Sequence, residues 1–147
     1  MSLNKFFMQK GKVLALDYGT KHVGMATGDE EMGIAFPRDV LPNREDIFDK
    51  ILSLCVELGV GKIIIGMPFS MSEDFQSNKI VSEIESFAKI LKEKVVDLKV
   101  DVEFFDERLT SFEAEQMTGK KGRTSKERLD AFAAQVILQR YFDGRKG

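Results

Sequence analysis

Two apolar runs constrain the fold of this chain more than any other feature. Val13-Leu14-Ala15-Leu16 is closed by Asp17, and Ile63-Ile64-Ile65 follows Lys62 and ends at Gly66. Side chains alternate between the two sides of a strand, so a strand apolar at consecutive positions is apolar on both faces. Such strands are stable in the interior of a sheet that is covered above and below, the setting of parallel α/β sheets.

The rest of the chain supplies what such a sheet needs. Val23-Gly24-Met25-Ala26-Thr27 reads as a second strand, Gly28-Asp29-Glu30 as a turn, and Gly33-Ile34-Ala35-Phe36 as a third strand stopped by Pro37. These spacings predict a three-stranded antiparallel meander. The period then changes. Asn43 is placed to cap a helix reaching about Leu58, with Asp46 in its first turn. Ile47, Ile51, Leu54, Cys55 and Leu58 share one face of it, and Gly59 suits its end. After the strand Lys62–Gly66, the polar stretch Ser70–Ser77 leads into a helix carrying Ile80, Ile84, Phe87, Leu91 and Val95. Val100 to Phe105 forms the next strand. Thr110 with Glu113 and Thr124 with Glu127 are capping-box pairs, the first opening a short helix ending near Gly119 and the second a helix to about Phe142. The order β-β-β-α-β-α-β-α-α defines an α/β protein. Its mixed five-stranded sheet has three antiparallel strands, then two parallel strands reached by right-handed crossovers, with helices on both faces. One domain is expected over residues 1–147, with flexible tails at 1–11 and 143–147.

Composition narrows the chemistry. The chain is 43% hydrophobic and 31% charged, ordinary for a water-soluble globular protein, and no apolar run approaches a membrane span. Cys55 is the single cysteine and His22 the single histidine, so a thiolate or imidazole zinc site is not expected, and a reducing, cytoplasmic setting is. Cys55 itself reads as a buried structural thiol. The net charge is −2, but Lys120, Lys121, Arg123, Lys126 and Arg128 concentrate positive charge in one segment. A nearly neutral protein can still place one basic surface over one site.

The acids that remain sit in unusual places. Asp17 ends the first strand with the parity of Val13 and Ala15, at the strand's carboxyl end, where ligands bind in parallel α/β sheets. Asp106 and Glu107 follow the last strand, and parity allows only one of them to share a face with Asp17. Asp130 lies on the apolar face of the last helix, with Ala133, Ala134, Ile137 and Tyr141, while Gln135 and Gln139 fall toward the expected solvent side. A carboxylate in such a place is costly unless it is paired or binds a metal. Separated acids delivered to one place fit phosphodiester hydrolysis with two hard divalent cations, Mg²⁺ or Mn²⁺, held by Asp17, Asp106 or Glu107, and Asp130. The turn Gly19-Thr20-Lys21 offers amides, a hydroxyl and an ammonium to a phosphate. Arg108 can clamp a phosphate, and the basic segment can track a nucleic-acid backbone.

Four stretches carry a family resemblance: Leu14-Ala15-Leu16-Asp17-Tyr18-Gly19-Thr20-Lys21 with Gly24 and Ala26; Ile63-Ile64-Ile65-Gly66-Met67-Pro68; Asp106-Glu107-Arg108-Leu109-Thr110 with Ala114 and Glu115; and Asp130-Ala131-Phe132-Ala133-Ala134 with Ile137-Leu138-Gln139. On these the chain resembles the YqgF family, described as Holliday junction resolvases and as pre-16S ribosomal RNA nucleases. The resemblance implies an RNase H-like fold, a divalent-metal endonuclease activity and a role in maturing the 5′ end of 16S rRNA inside a bacterial cell. It assigns Asp17 as the first-strand acid and Asp130 as the helix acid, with the second acid from the Asp106-Glu107 pair. Related resolvases carry an acid where this chain has Gly66. The loop Phe69–Ser77 departs from the glycine-containing family pattern.

The function expected is therefore a metal-dependent endonuclease on precursor rRNA, as a monomer or weak homodimer, with ribosomal particles as further partners and no membrane partner. Cutting of four-way DNA junctions is the nearest alternative, and would call for a two-fold dimer with paired sites. A non-catalytic RNA-binding assembly factor is a third reading, one in which nucleic-acid affinity would survive loss of Asp17 and Asp130. An actin-like kinase, suggested by Asp17-Tyr18-Gly19-Thr20, needs two domains and more chain than is present.

Overall fold

A computed structural model describes residues 11–68, 75–106 and 126–145, with the side chains of 75–77 and 126–130 left aside. In chain order the elements are β1 (Lys12–Tyr18), β2 (His22–Asp29), β3 (Ile34–Pro42), α1 (Ile47–Leu58), β4 (Val60–Met67), α2 (Phe75–Val95), β5 (Asp101–Asp106) and α3 (Lys126–Arg145). The five strands form one sheet in the order β3-β2-β1-β4-β5. β1, β2 and β3 pair antiparallel, while β4 and β5 run parallel to β1. The two strands with continuous apolar runs are thus interior neighbours, as their composition requires. The helix expected over Thr110–Gly119 lies outside the described residues.

Alternation along the strands builds two cores. Leu14, Leu16, Met25, Ile63, Ile65 and Met67 face α1 and α2, meeting Ile47, Ile51, Cys55, Ile84, Phe87, Leu91 and Val95. Val13, Ala15, Ala26, Ala35 and Ile64 face α3, meeting Ala134, Ile137, Leu138, Tyr141 and Phe142. Ala133 leaves the sheet-facing stripe and forms a separate small cluster with Val136 and Phe132. Cys55 is 3% exposed, and burial pushes its thiol up to about 11, so it is a packing residue.

Three further expectations change. β3 continues through Pro37 to Pro42, because the pairing with β2 shifts register between Gly24 and Ala26. Pro37 sits beside that irregularity on an edge strand, the setting that tolerates a residue without an N–H. Asn43 does not cap α1. That helix begins at Ile47 with Asp46 as its N-cap, and the Asn43 side chain instead donates to the Gly19 carbonyl at 2.8 Å. Gly59 does close the helix, in the left-handed conformation at φ 71°.

The third change concerns Gln135 and Gln139, which do not point to solvent. Gln139 accepts from the Ala35 N–H at 3.0 Å and donates to the Gly33 carbonyl at 2.9 Å, while Gln135 donates to the Ala35 carbonyl at 3.2 Å. The helix thereby satisfies backbone groups on the outer edge of β3, which would otherwise be open to pairing with another chain. Gln139→Ala removes two of these bonds from partly buried partners. It should cost about 2 kcal/mol in chemical denaturation, and self-association at raised concentration, read by light scattering, should increase.

The C-terminal half of α3 is fixed by a polar cluster at the amino ends of the parallel strands. Lys62 donates to the Tyr141 hydroxyl at 2.9 Å and pairs with Glu103 at 3.2 Å. Tyr141 donates in turn to Glu30 at 3.3 Å, and Arg145 stands 3.7 Å from the same carboxylate. Burial alone would depress the Lys62 ammonium, but Tyr141 and Glu103 outweigh it and hold its pKa above the ordinary value. Phe142 lies against Gly28, near the start of β1. α3 therefore runs antiparallel to β1, and its N-terminal turns lie toward the strands' carboxyl ends.

Candidate active site

Asp17 stands at the carboxyl end of β1, half-buried, and shares the α3 side of the sheet with Val13 and Ala15. Its partner on β2 is Gly24. On β4 the last paired position is Leu16 with Ile65, so Gly66 is the next residue on that side, and Gly66 pairs with Phe105 of β5. Laterally paired residues point to the same face. The row across the sheet is therefore Gly24, Asp17, Gly66, Phe105. Within the sheet, Asp17 has a glycine on each flank. The two flanking glycines were visible in the sequence, but only the register reveals that they bracket Asp17.

The turn after β1 is held from below. Asn43 donates its side-chain amide to the Gly19 carbonyl, and its backbone N–H donates to the Lys21 carbonyl at 2.9 Å. A Cβ on Gly19 would lie 2.6 Å from the His22 carbonyl oxygen, so the turn closes only around glycine. Gly19 thus serves the turn itself. Thr20 and Lys21 are exposed beside Asp17 and free to meet solvent or a phosphate. Tyr18 points to the other side of the sheet, where its ring meets Phe87 edge-on at 5.1 Å and its hydroxyl donates to Glu83 at 3.4 Å. Burial, together with the Glu83 charge, raises its pKa against the lowering contribution of Asn43.

β5 fixes the side of the first of the adjacent acids. Val102 packs into the α1/α2 core and Phe104 lies under Lys92 of α2, whereas Glu103 reaches Lys62 and Phe105 packs against the α3-side core. Asp106 follows the parity of Val102 and Phe104 and pairs with Met67, itself in the α1/α2 core. The structure therefore places Asp106 on the side of the sheet opposite Asp17. Glu107, Arg108, Lys120, Lys121 and Arg123 lie outside the described residues, as do the side chains of Lys126, Arg128 and Asp130, whose backbone forms the start of α3. Among the described residues, no group of three potential metal-ligating side chains is brought together. No helix among them is long and apolar enough to cross a membrane.

The architecture has solved counterparts. RuvC of Thermus thermophilus bound to a Holliday junction superposes with a TM-score of 0.59 at 14% identity, covering 92% of this chain and 96% of that one. A second RuvC structure from the same organism gives a TM-score of 0.52 at 10% identity. Three antiparallel strands followed by two parallel ones, with helices on both faces, make this an RNase H-like fold.

Residues 11–144 match the family model of RuvX, described as a Holliday junction resolvase. Proteins named "Putative pre-16S rRNA nuclease" align over nearly the full length. That of Chloroflexus aggregans is 36% identical over 146 residues, covering 95% of this chain and 98% of its own. That of Maridesulfovibrio salexigens is 37% identical over 133 residues, covering 87% and 95%, and that of Bacteroides fragilis is 34% identical over 140 residues, covering 92% and 98%. The chain belongs to the RuvX (YqgF) family of nucleases.

Proposed function

We propose that this protein is a divalent-metal-dependent endonuclease that trims precursor 16S rRNA at its 5′ end, acting as one domain in the cytoplasm. The observation that carries this reading is the setting of Asp17: a carboxylate at the carboxyl end of the central strand, bracketed by two glycines, on the side covered by α3. The names borne by relatives at 33–37% identity favour RNA as substrate.

Two further acids complete the site in this reading. Strand parity favours Glu107 over Asp106, since alternation carried one residue past Asp106 returns to the face of Phe105 and Asp17. Asp130 precedes Ala134, Ile137 and Tyr141 by four, seven and eleven residues, the spacing of the sheet-facing stripe. The helix rises roughly 18 Å over the twelve residues from Phe142 back to Asp130, while β1 climbs roughly 13 Å from Val13 to Asp17. A helix inclined to the strand thus carries Asp130 to about the height of Asp17. The donors are all carboxylate oxygens, which fits Mg²⁺ or Mn²⁺ and not zinc. When bound, such ions (two, with substrate) polarise the phosphate and lower the pKa of attacking water. Asp17, Glu107 and Asp130 would hold them. Lys21, Thr20 and the Gly19 amide would orient the scissile phosphate. Arg108, Lys120, Lys121, Arg123, Lys126 and Arg128 would steady the flanking backbone, giving an affinity that falls with salt.

Parity makes a direct prediction. Glu107→Gln should reduce cleavage by about a hundredfold or more, while Asp106→Asn should leave it within about threefold of wild type. Equal losses in both variants would show that the strand does not continue its alternation.

The family's description as Holliday junction resolvases supports cutting of four-way DNA as a second reading. Precursor rRNA, generic single-stranded RNA and four-way DNA would be incubated with Mg²⁺ or Mn²⁺, beside Asp17→Asn. Cutting of precursor rRNA with the junction left intact supports the first reading. Paired, symmetric cuts in the junction, made by a dimer, establish the second. RNA binding without metal-dependent cleavage would mark an assembly factor.

A further inference from the structure

The strand end that presents Asp17 on one side of the sheet presents Tyr18 on the other, and consecutive Cα atoms are only about 3.8 Å apart. Behind Tyr18 lies a cleft of about 450 Å³ between the first turn of α1 and the upper half of α2, lined by Tyr18, Phe48, Ser82, Glu83, Ser86 and Phe87 among others. Its floor is aromatic. Phe87 is 5% exposed and belongs to the core, with Tyr18 edge-on at 5.1 Å and Phe48 tilted against it at 4.9 Å. Tyr18 and Phe48 are only half-buried and keep ring surface toward the cleft. Around them stand the hydroxyls of Ser82 and Ser86, the Glu83 carboxylate and Lys79, together with the exposed side chain of Ile90.

We infer that this cleft is a nucleobase subsite, taking the base of a nucleotide next to the one whose phosphate lies at Asp17, and preferring a base with an exocyclic amino group over uracil. The inference rests on the nuclease reading above for its orientation. Phe87 is a core residue, whereas Tyr18 and Phe48 pack against the core and still leave ring surface open toward the cleft. A single strand laid across the carboxyl end of β1 must put its bases somewhere, and aromatic rings beside a backbone track are how unpaired bases are held. Glu83 sets the preference. An ionised carboxylate only accepts hydrogen bonds and has about four acceptor positions, of which the Tyr18 hydroxyl uses one. Adenine, cytosine and guanine can donate an amino group to it. Uracil offers one imino N–H between two carbonyls, which the carboxylate repels.

The test uses the full chain carrying Asp17→Asn, titrated with short single-stranded RNAs of cytidine, adenosine or uridine and with an abasic strand of the same length. Ring resonances of Tyr18 and Phe48 are followed by NMR and affinity by fluorescence anisotropy. Cytidine and adenosine strands should shift both rings and bind about tenfold tighter than the abasic strand, as expected for one stacked base. Uridine should fall between, and Glu83→Gln should narrow the gap between cytidine and uridine. Phe48→Ala should remove the advantage of having a base. So should Ser86→Phe, which fills the cleft from an exposed position without disturbing the core. Unmoved rings, or equal binding of base-containing and abasic strands with Ser86 intact, overturn the inference. Since binding and ring shifts are read without turnover, a protein that cleaves nothing would sink the nuclease reading while leaving this result legible.

Discussion

Asp17→Asn should lower metal-dependent cleavage by at least about a thousandfold, equivalent to about 4 kcal/mol of transition-state stabilisation. The substitution keeps the size and planarity of the side chain and removes only its charge. In this account that charge, at the end of the central strand and with a glycine on each side, is the anchor for the cations. The fold should not suffer, because Asp17 is half-buried at a strand end while β1 is fixed by Val13, Leu14, Ala15 and Leu16, each at most 1% exposed. The melting temperature should stay the same or rise, since clustered carboxylates without metal repel one another. Cleavage retained within about tenfold would mean that the chemistry is organised elsewhere. A collapse in melting temperature would mean that Asp17 is a structural cap.

The largest stability effect is expected far from that site. Gly28 is buried near the lower end of β2, where an added Cβ would lie 2.5 Å from the Ile34 carbonyl oxygen and 2.6 Å from the Phe142 ring. The carbonyl belongs to the paired strand and cannot retreat without breaking the β2–β3 ladder, and Phe142 is 3% exposed within the α3-side core. Gly28→Val should therefore cost about 3 kcal/mol, a fall of roughly 10 °C in melting temperature for a chain of this size. Combining it with Phe142→Leu should recover part of the loss, because the two residues meet directly and their effects are not additive. A melting temperature within about 2 °C of wild type for Gly28→Val would show that α3 does not seat on β2 in this way.

These two positions also mark how far the sequence could be read. The parity of Asp17 with Val13 and Ala15 is a local property of one strand and put the carboxylate on their face; that α3 covers this face emerges only from the packing. The runs at Val13 and Ile63 correctly implied interior strands. What could not be read depends on partners distant in sequence. The acids at 106 and 107 follow two consecutive aromatic residues, Phe104 and Phe105, so hydrophobicity gave no parity. The faces emerge only from what those rings touch, Lys92 on one side and Tyr141 on the other. Gln135 and Gln139 sit off the apolar stripe of α3, which suggested solvent, but the edge of β3 lies beside them and takes their hydrogen bonds. Asn43 precedes a helix, as a cap would, yet the β1–β2 turn competes for its side chain. Pro37 looked like a strand end because a register shift between β2 and β3 is invisible until the strands are paired. The tie of Lys62 to Tyr141 and Glu103 spans two other elements, and nothing local to β4 announced it.

We propose above a convergence of acids from β1, from the residue after β5 and from α3 at the carboxyl ends of the parallel strands. Paramagnetic broadening by Mn²⁺ in an amide NMR spectrum tests it most directly. Signals around Asp17, Gly24, Gly66, Glu107 and Asp130 should vanish first, those of Lys62, Tyr141 and the C-terminal half of α1 should persist, and Asp17→Asn should abolish the pattern. Broadening centred on another acidic surface, such as Asp46 and Asp49 at the start of α1, and unaffected by Asp17→Asn, would contradict it.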